Sequence, residues 1–243
     1  MRTILPPRLA ALALGAFAVI ASQATANPPL AAGHGHAHGH AHEADHGHAP
    51  EHAHDHAQEN MRNHGPDAVR KGHFDDGQVQ PRRLGDWEGD WQSVYPHLID
   101  GTLDPVMAHK AEHGDRSAAA FREEYEAGYR TDVDRIRIDG DLVTFHRGAG
   151  VVSGRYAPDG HEILTYEKGN RGVRYVFRKT AGDAAAPGFI QFSDHRIAPE
   201  KSGHFHLYWG DDRAALLNEV THWPTYYPAA LTGAEIAREM MAH

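Results

Sequence analysis

The chain is 243 residues long, with 24 Lys+Arg against 33 Asp+Glu, 22 His and no Cys, giving a net charge of −9 with histidine neutral. That balance excludes a nucleic-acid binder built on a basic patch. The lack of cysteine excludes disulfide frameworks, zinc ribbons, iron–sulfur clusters and thiol nucleophiles.

Residues 1–26 read as an export signal. Arg2 and Arg8 flank the start, residues 9–20 are continuously apolar, and Ala24-Thr25-Ala26 offers a small-x-small cleavage site before Asn27. The apolar run is shorter than the roughly 20 residues that a membrane span needs. Cleavage near Ala26 is therefore expected to release a soluble, periplasmic chain whose stability, without disulfides, rests on its core.

Residues 27–78 form a second compositional regime. Ten histidines fall between His34 and His56, mostly as H-x-H with Gly, Ala, Asp and Glu between them. No apolar periodicity gives this segment a face to bury, so it is expected to be disordered. Alternating imidazoles on such a chain suit borderline divalent cations such as Zn²⁺, Cu²⁺ or Ni²⁺. The entropy of ordering the chain makes each ligand set weaker than a preformed site. Glu43, Asp45, Glu51 and Asp55 would help to concentrate cations.

Residues 79–243 carry the pattern of a folded domain, mainly β. Gly85-Asp86-Trp87 and Gly89-Asp90-Trp91 open it, followed by Ser93-Val94-Tyr95-Pro96. The spacing of Ala118, Phe121 and Tyr125 predicts a helix over 117–129 with Ser117 as N-cap. Short alternating runs at 135–138, 142–147, 151–156, 162–167, 173–179, 189–194 and 204–209 are separated by turn signals such as Asp139-Gly140 and Pro158-Asp159-Gly160. They predict an antiparallel meander closing into a barrel. Helical pieces at 213–220 and 234–242 end the chain, the second with Thr232 and Glu235 as a capping box.

The chemistry concentrates in the last hairpin. In His204-Phe205-His206-Leu207-Tyr208-Trp209 the alternation puts His204, His206 and Tyr208 on one face and Phe205, Leu207 and Trp209 on the other. A hairpin closed by residues 196–203 would bring His195 beside the H-x-H pair. Three imidazoles with one open position is a known zinc arrangement; a solvated hairpin, or histidines held by backbone carbonyls, is the structural alternative.

Four stretches then identify a resemblance: residues 85–96 (GDWEGDWQSVYP), Gln191-Phe192-Ser193-Asp194-His195, His204-Phe205-His206, and Trp223-Pro224-Thr225-Tyr226-Tyr227-Pro228. Together they closely resemble the ZinT (YodA) family of periplasmic zinc- and cadmium-binding proteins, and the likeness runs from about residue 80 to the end. The resemblance implies a calycin, lipocalin-like barrel with flanking helices, Gly89-Asp90-Trp91 matching the G-x-W of a first lipocalin strand. It implies His195, His204 and His206 as metal ligands, Zn²⁺ or Cd²⁺ as the metal, and delivery to the solute-binding protein of a zinc ABC importer. Some relatives carry a cysteine pair that this chain lacks.

The fourth metal position is open among water, a small anion, a carboxylate such as Asp194 or Glu200, and an imidazole from the His-rich segment. His97, His109, His113 and His161 read as solvated, His146 and His222 as structural, and Glu123, Glu124 and Glu126 as a solvated helix face. Two rival functions remain. One is a zinc hydrolase or lyase using metal-bound water, for which no general base is evident. The other is a lipocalin-type small-molecule binder, which histidines facing inward at the barrel mouth would disfavour. The reading is therefore a non-enzymatic metal binder with no nucleic-acid partner.

Overall fold

The computed structural model describes residues 65–167 and 169–242. The expected signal and the histidines from His34 to His56 lie outside the described residues. Helix α1 (Pro66–Arg70) and two 3-10 turns (Asp76–Gln78, Leu84–Trp87) lead into strand β1 (Gly89–Ser93). Helices α2 (Tyr95–Ile99), α3 (Asp104–His113) and α4 (Ala118–Tyr129) follow. The chain then runs through β2 (Arg135–Asp139), β3 (Leu142–Arg147), β4 (Gly150–Thr165), β5 (Arg171–Gly182), β6 (Phe189–Ser193) and β7 (Phe205–Gly210). Helix α5 (Arg213–Leu217), β8 (Thr225–Pro228) and α6 (Gly233–Met241) complete it. No helix among the described residues is long and apolar enough to cross a membrane.

The eight strands pair with their sequence neighbours, always antiparallel, and β8 returns to β1 to close the barrel. Closure gives every strand a partner on both sides over part of its length. Register places Trp91 opposite Ile136, Ile136 opposite Phe145, Tyr175 opposite Phe192, Phe192 opposite Leu207 and Phe205 opposite Tyr226. These residues and Trp87 form one buried cluster that fills the interior. Trp87 stacks on Phe192 at 4.7 Å, and Phe192 meets Phe205 edge-on at 5.1 Å.

A second buried cluster lies outside the wall. Val94, Leu98, Leu103, Val106, Met107, Tyr129 and Ile236, from β1 onward through α2, α3, α4 and α6, pack around Tyr227 of β8. The expected helix caps are present: Ser117 accepts from the Ala120 N–H, and Thr232 and Glu235 make a reciprocal capping box.

The structure departs from the sequence reading in three places. The two strands expected around Pro158-Asp159-Gly160 are one long strand, β4, whose register with β5 shifts between Pro158 and His161. Gly160, at φ 88°, supplies the left-handed backbone of this bulge. Beyond Arg155, β4 pairs only with β5, so Pro158 deprives no second neighbour of a hydrogen bond. Strand β8 overlaps the Trp223–Tyr227 aromatic run, where Pro224 just before it and Pro228 at its end disguised it. Finally, residues 66–78, assigned from composition to the His-rich segment, are ordered against the barrel. Phe74 is buried in its interior cluster with Val69 packed alongside, and two apolar residues in a polar stretch were too sparse to show a period.

Replacing Phe74 by Ala removes a large buried ring and is expected to lower the unfolding free energy by about 3–5 kcal/mol. Chemical denaturation of the two proteins measures this. A loss below about 0.5 kcal/mol, the usual size of a surface substitution, would show that residues 66–78 lie outside the cooperative unit.

Candidate metal centre

Strand β6 ends at Ser193, and the two residues after it, Asp194 and His195, turn the chain into the loop that leads to β7. His195 has φ 61°, the one non-glycine residue in the left-handed region among the described residues. Histidine tolerates this conformation better than most residues, yet it is sparsely populated and persists where the surroundings impose it.

The surroundings here centre on Arg82. Its Nη1 donates to Asp194 Oδ1 at 2.6 Å, its Nε to Asp86 Oδ2 at 2.9 Å and its Nη2 to the Glu200 carbonyl at 2.6 Å. The guanidinium lies 3.9 Å from the centre of the Trp87 ring. Both the Arg82 and Asp194 side chains are fully buried. Backbone bonds reinforce the strap: Gln80 N–H donates to Ile197 O at 2.7 Å and Ser202 N–H to Asp86 O at 2.8 Å. Ser202 Oγ–H donates to His204 O at 2.7 Å. The loop between β6 and β7 is thus tied to the segment entering β1.

With the loop so held, three imidazoles converge. Ring centroids of His195 and His204 are 6.0 Å apart, those of His195 and His206 5.7 Å, and those of His204 and His206 6.4 Å. His206 sits opposite Ser193 on β6 and Thr225 on β8. Its Nδ1 is 2.8 Å from Thr225 Oγ1, whose own proton goes to Trp223 O at 2.9 Å. The hydroxyl therefore accepts from His206, which puts the imidazole proton on Nδ1 and leaves Nε2 with its lone pair. His204 stacks on Tyr227 at 4.9 Å with ring planes 8° apart. Desolvation, then His195, His204 and Arg174, hold the His206 pKa well below its ordinary 6.5, so the ring favours the neutral form that ligation needs.

The three rings open onto a cleft of about 1030 Å³ between the barrel wall and the helices, bordered by Lys71 after α1, Lys110 of α3, Tyr125 of α4 and Trp223. Trp223 lies so close to α4 that a Cβ on Gly128 would fall 2.4 Å from its ring, which requires glycine there.

The expectation that the histidines face inward at the barrel mouth is corrected. Phe205 and Leu207 take the interior positions of β7 and are fully buried in its core. The period-2 alternation then turns His204 and His206 to the outer side. Of the two carboxylates named as fourth ligands, Asp194 gives Oδ1 to Arg82 and keeps a buried Oδ2 without a hydrogen-bond partner among the described residues, and Glu200 pairs with Arg196. The reading of His222 as structural agrees with its Nε2 donating to Arg130 O. Arg82 and Thr225 were not singled out from sequence. Arg82 meets Asp194 across 112 residues, and nothing local in the chain marks that pairing.

Tetrahedral zinc with Zn–N bonds of 2.0–2.1 Å sets neighbouring imidazole centroids roughly 5 Å apart. The observed triangle of ring centroids, 5.7–6.4 Å on a side, is wider than that and would have to tighten by about 1 Å around an ion. The fold and the site thus define an antiparallel barrel carrying a three-histidine centre on its outer wall. The family model for ZinT (YodA), described as periplasmic, lipocalin-like and zinc-recruiting, matches residues 66–243, and the chain belongs to this family. It is 56% identical over 178 residues to the probable metal-binding protein YrpE of Bacillus subtilis, covering 73% of this chain and 71% of YrpE. It is 51% identical over 181 residues to the zinc-binding protein AdcA of Streptococcus pyogenes serotype M1, covering 72% of this chain but 35% of AdcA. The Zn(II)-bound ZinT-like domain of Streptococcus pneumoniae AdcA aligns with TM-score 0.70 at 46% identity, covering 71% of this chain and 97% of that domain.

Arg82→Met leaves the Asp194 carboxylate buried and uncompensated, and is expected to cost about 3–5 kcal/mol of stability. Combining it with Asp194→Asn, which removes the stranded charge, is expected to restore part of that loss. Equilibrium unfolding of the three proteins checks this, and strictly additive losses would contradict the coupling.

Proposed function

We propose that this chain binds Zn²⁺ as cargo through one ring nitrogen each of His195, His204 and His206, recruits it in the periplasm, and hands it to the solute-binding protein of a zinc ABC importer. The observation that carries this reading is the convergence of the three rings on one point, with His206 Nε2 deprotonated by its bond to Thr225. Membership of a zinc-recruitment family and the Zn(II)-bound state of a relative support it. The donor set also accepts Cd²⁺ with longer bonds. The histidines between His34 and His56 add weaker sites that gather metal, and residues 1–26 direct export.

Binding rather than catalysis fits the neighbouring groups. A hydrolase needs a carboxylate or similar base within reach of metal-bound water. Asp194 is ion-paired to Arg82 through Oδ1, its Oδ2 being buried without a hydrogen-bond partner among the described residues, and Glu200 is paired with Arg196. A small-molecule role fits poorly too, because Trp87, Phe177, Phe192 and Phe205 occupy the barrel interior.

Competitive zinc titration of the full-length protein tests the proposal. The His195→Ala/His204→Ala/His206→Ala variant is expected to lose one tight zinc equivalent. Thr225→Val keeps the ligands but frees the His206 ring, and is expected to weaken that equivalent by about 10–100-fold. Unchanged stoichiometry and affinity in the triple variant would overturn the proposal.

A further inference from the structure

The last turns of α3 read His109-Lys110-Ala111-Glu112-His113. At 100° per residue, positions i, i+3 and i+4 fall on one face of the helix. One ligand atom from each of His109, Glu112 and His113 lies within 4.8 Å of the other two, and the two rings are 4.5 Å apart. From this geometry we infer that α3 carries a second divalent-metal site, formed by His109, Glu112 and His113 and separate from the cleft.

Two further observations point to a cation. His113 Nδ1 is 2.9 Å from the His109 carbonyl oxygen. A carbonyl only accepts, so Nδ1 carries a proton, and in the neutral ring Nε2 is the nitrogen left to ligate a metal. Glu112 is also misplaced for an ordinary helix end. The C-terminal turn carries partial negative charge and disfavours an acidic side chain, and Glu112 makes no ion pair among the described residues. A cation held between it and the two imidazoles removes that repulsion. Capping by His113 alone accounts for neither His109 nor Glu112.

Two imidazoles and a carboxylate suit Zn²⁺, Ni²⁺ or Cu²⁺ rather than Ca²⁺ or Mg²⁺. Glu112 and His113 are exposed and His109 is half-buried, so water completes the shell and exchange is fast. Lys110, the next residue, lines the cleft, whereas His109, Glu112 and His113 do not.

Zinc titration of the full-length protein, followed by imidazole ¹H–¹⁵N NMR, tests the inference. His109 and His113 resonances are assigned by His109→Ala and His113→Ala, both substitutions within a helix to a strong helix former. The expected result is that both resonances move together with zinc and still do so in the His195→Ala/His204→Ala/His206→Ala variant. His109→Ala, which keeps the backbone carbonyl that fixes the His113 proton, is expected to raise the zinc needed to move His113 by about tenfold or more. The inference is overturned if neither resonance moves at any zinc concentration the buffer holds, or if His113 responds identically in His109→Ala. Loss of the cleft site alone would not produce either outcome.

Discussion

The geometry of the three-histidine site depends on one buried guanidinium. Arg82 has no exposed side-chain surface, and neither has the Asp194 carboxylate it grips. Charges so placed are costly unless well paired and hydrogen-bonded. Arg82 uses all three of its nitrogens, on Asp194, Asp86 and the Glu200 carbonyl, and lays its flat face over Trp87. Those contacts reach both ends of the loop from β6 to β7. They fix the residue before His195 and hold His195 in a backbone conformation that a free loop would seldom adopt. A surface loop is thereby held rigid, which under the proposed function would lower the entropy lost on binding a metal.

The same division of labour runs through the fold. Strand alternation gives β7 an apolar inner face, Phe205 and Leu207, and an outer face with His206. The core is complete without the histidines, so the site does not have to stabilise the barrel. Helices α2, α3, α4 and α6 cover the wall around Tyr227, and Tyr227 in turn backs the His204 ring. The cleft between these layers is open at the three histidines, and Thr225 sets the proton on His206.

Elements with a local signature were legible in the sequence. The helix capped by Ser117, the β2–β3 hairpin and the alternating His204–Trp209 run all carry short-range periodicity or turn chemistry. So was the approach of His195 to the H-x-H pair, because one hairpin suffices to bring it there. What escaped was set by distant contacts. Arg82 finds Asp194 across the barrel, Thr225 reaches His206 from a strand hidden between prolines, and Phe74 is drawn into a core that no neighbouring residue announces. Which face of β7 points inward is likewise decided by closure of the barrel, to which alternation alone is blind. His109 and His113, read as solvated, are half-buried and exposed respectively, and their place on one face of α3 shows only once the helix and its end are known.

The most direct test of the account is an anomalous difference map at the zinc edge from crystals of the zinc-loaded protein. It predicts one dominant peak in the cleft, about 2.0–2.1 Å from one nitrogen of each of His195, His204 and His206, with the Arg82–Asp194 pair intact and Nε2 as the His206 donor. A dominant peak that omits any of these three rings, or that displaces Asp194 from Arg82 to act as a ligand, would contradict it.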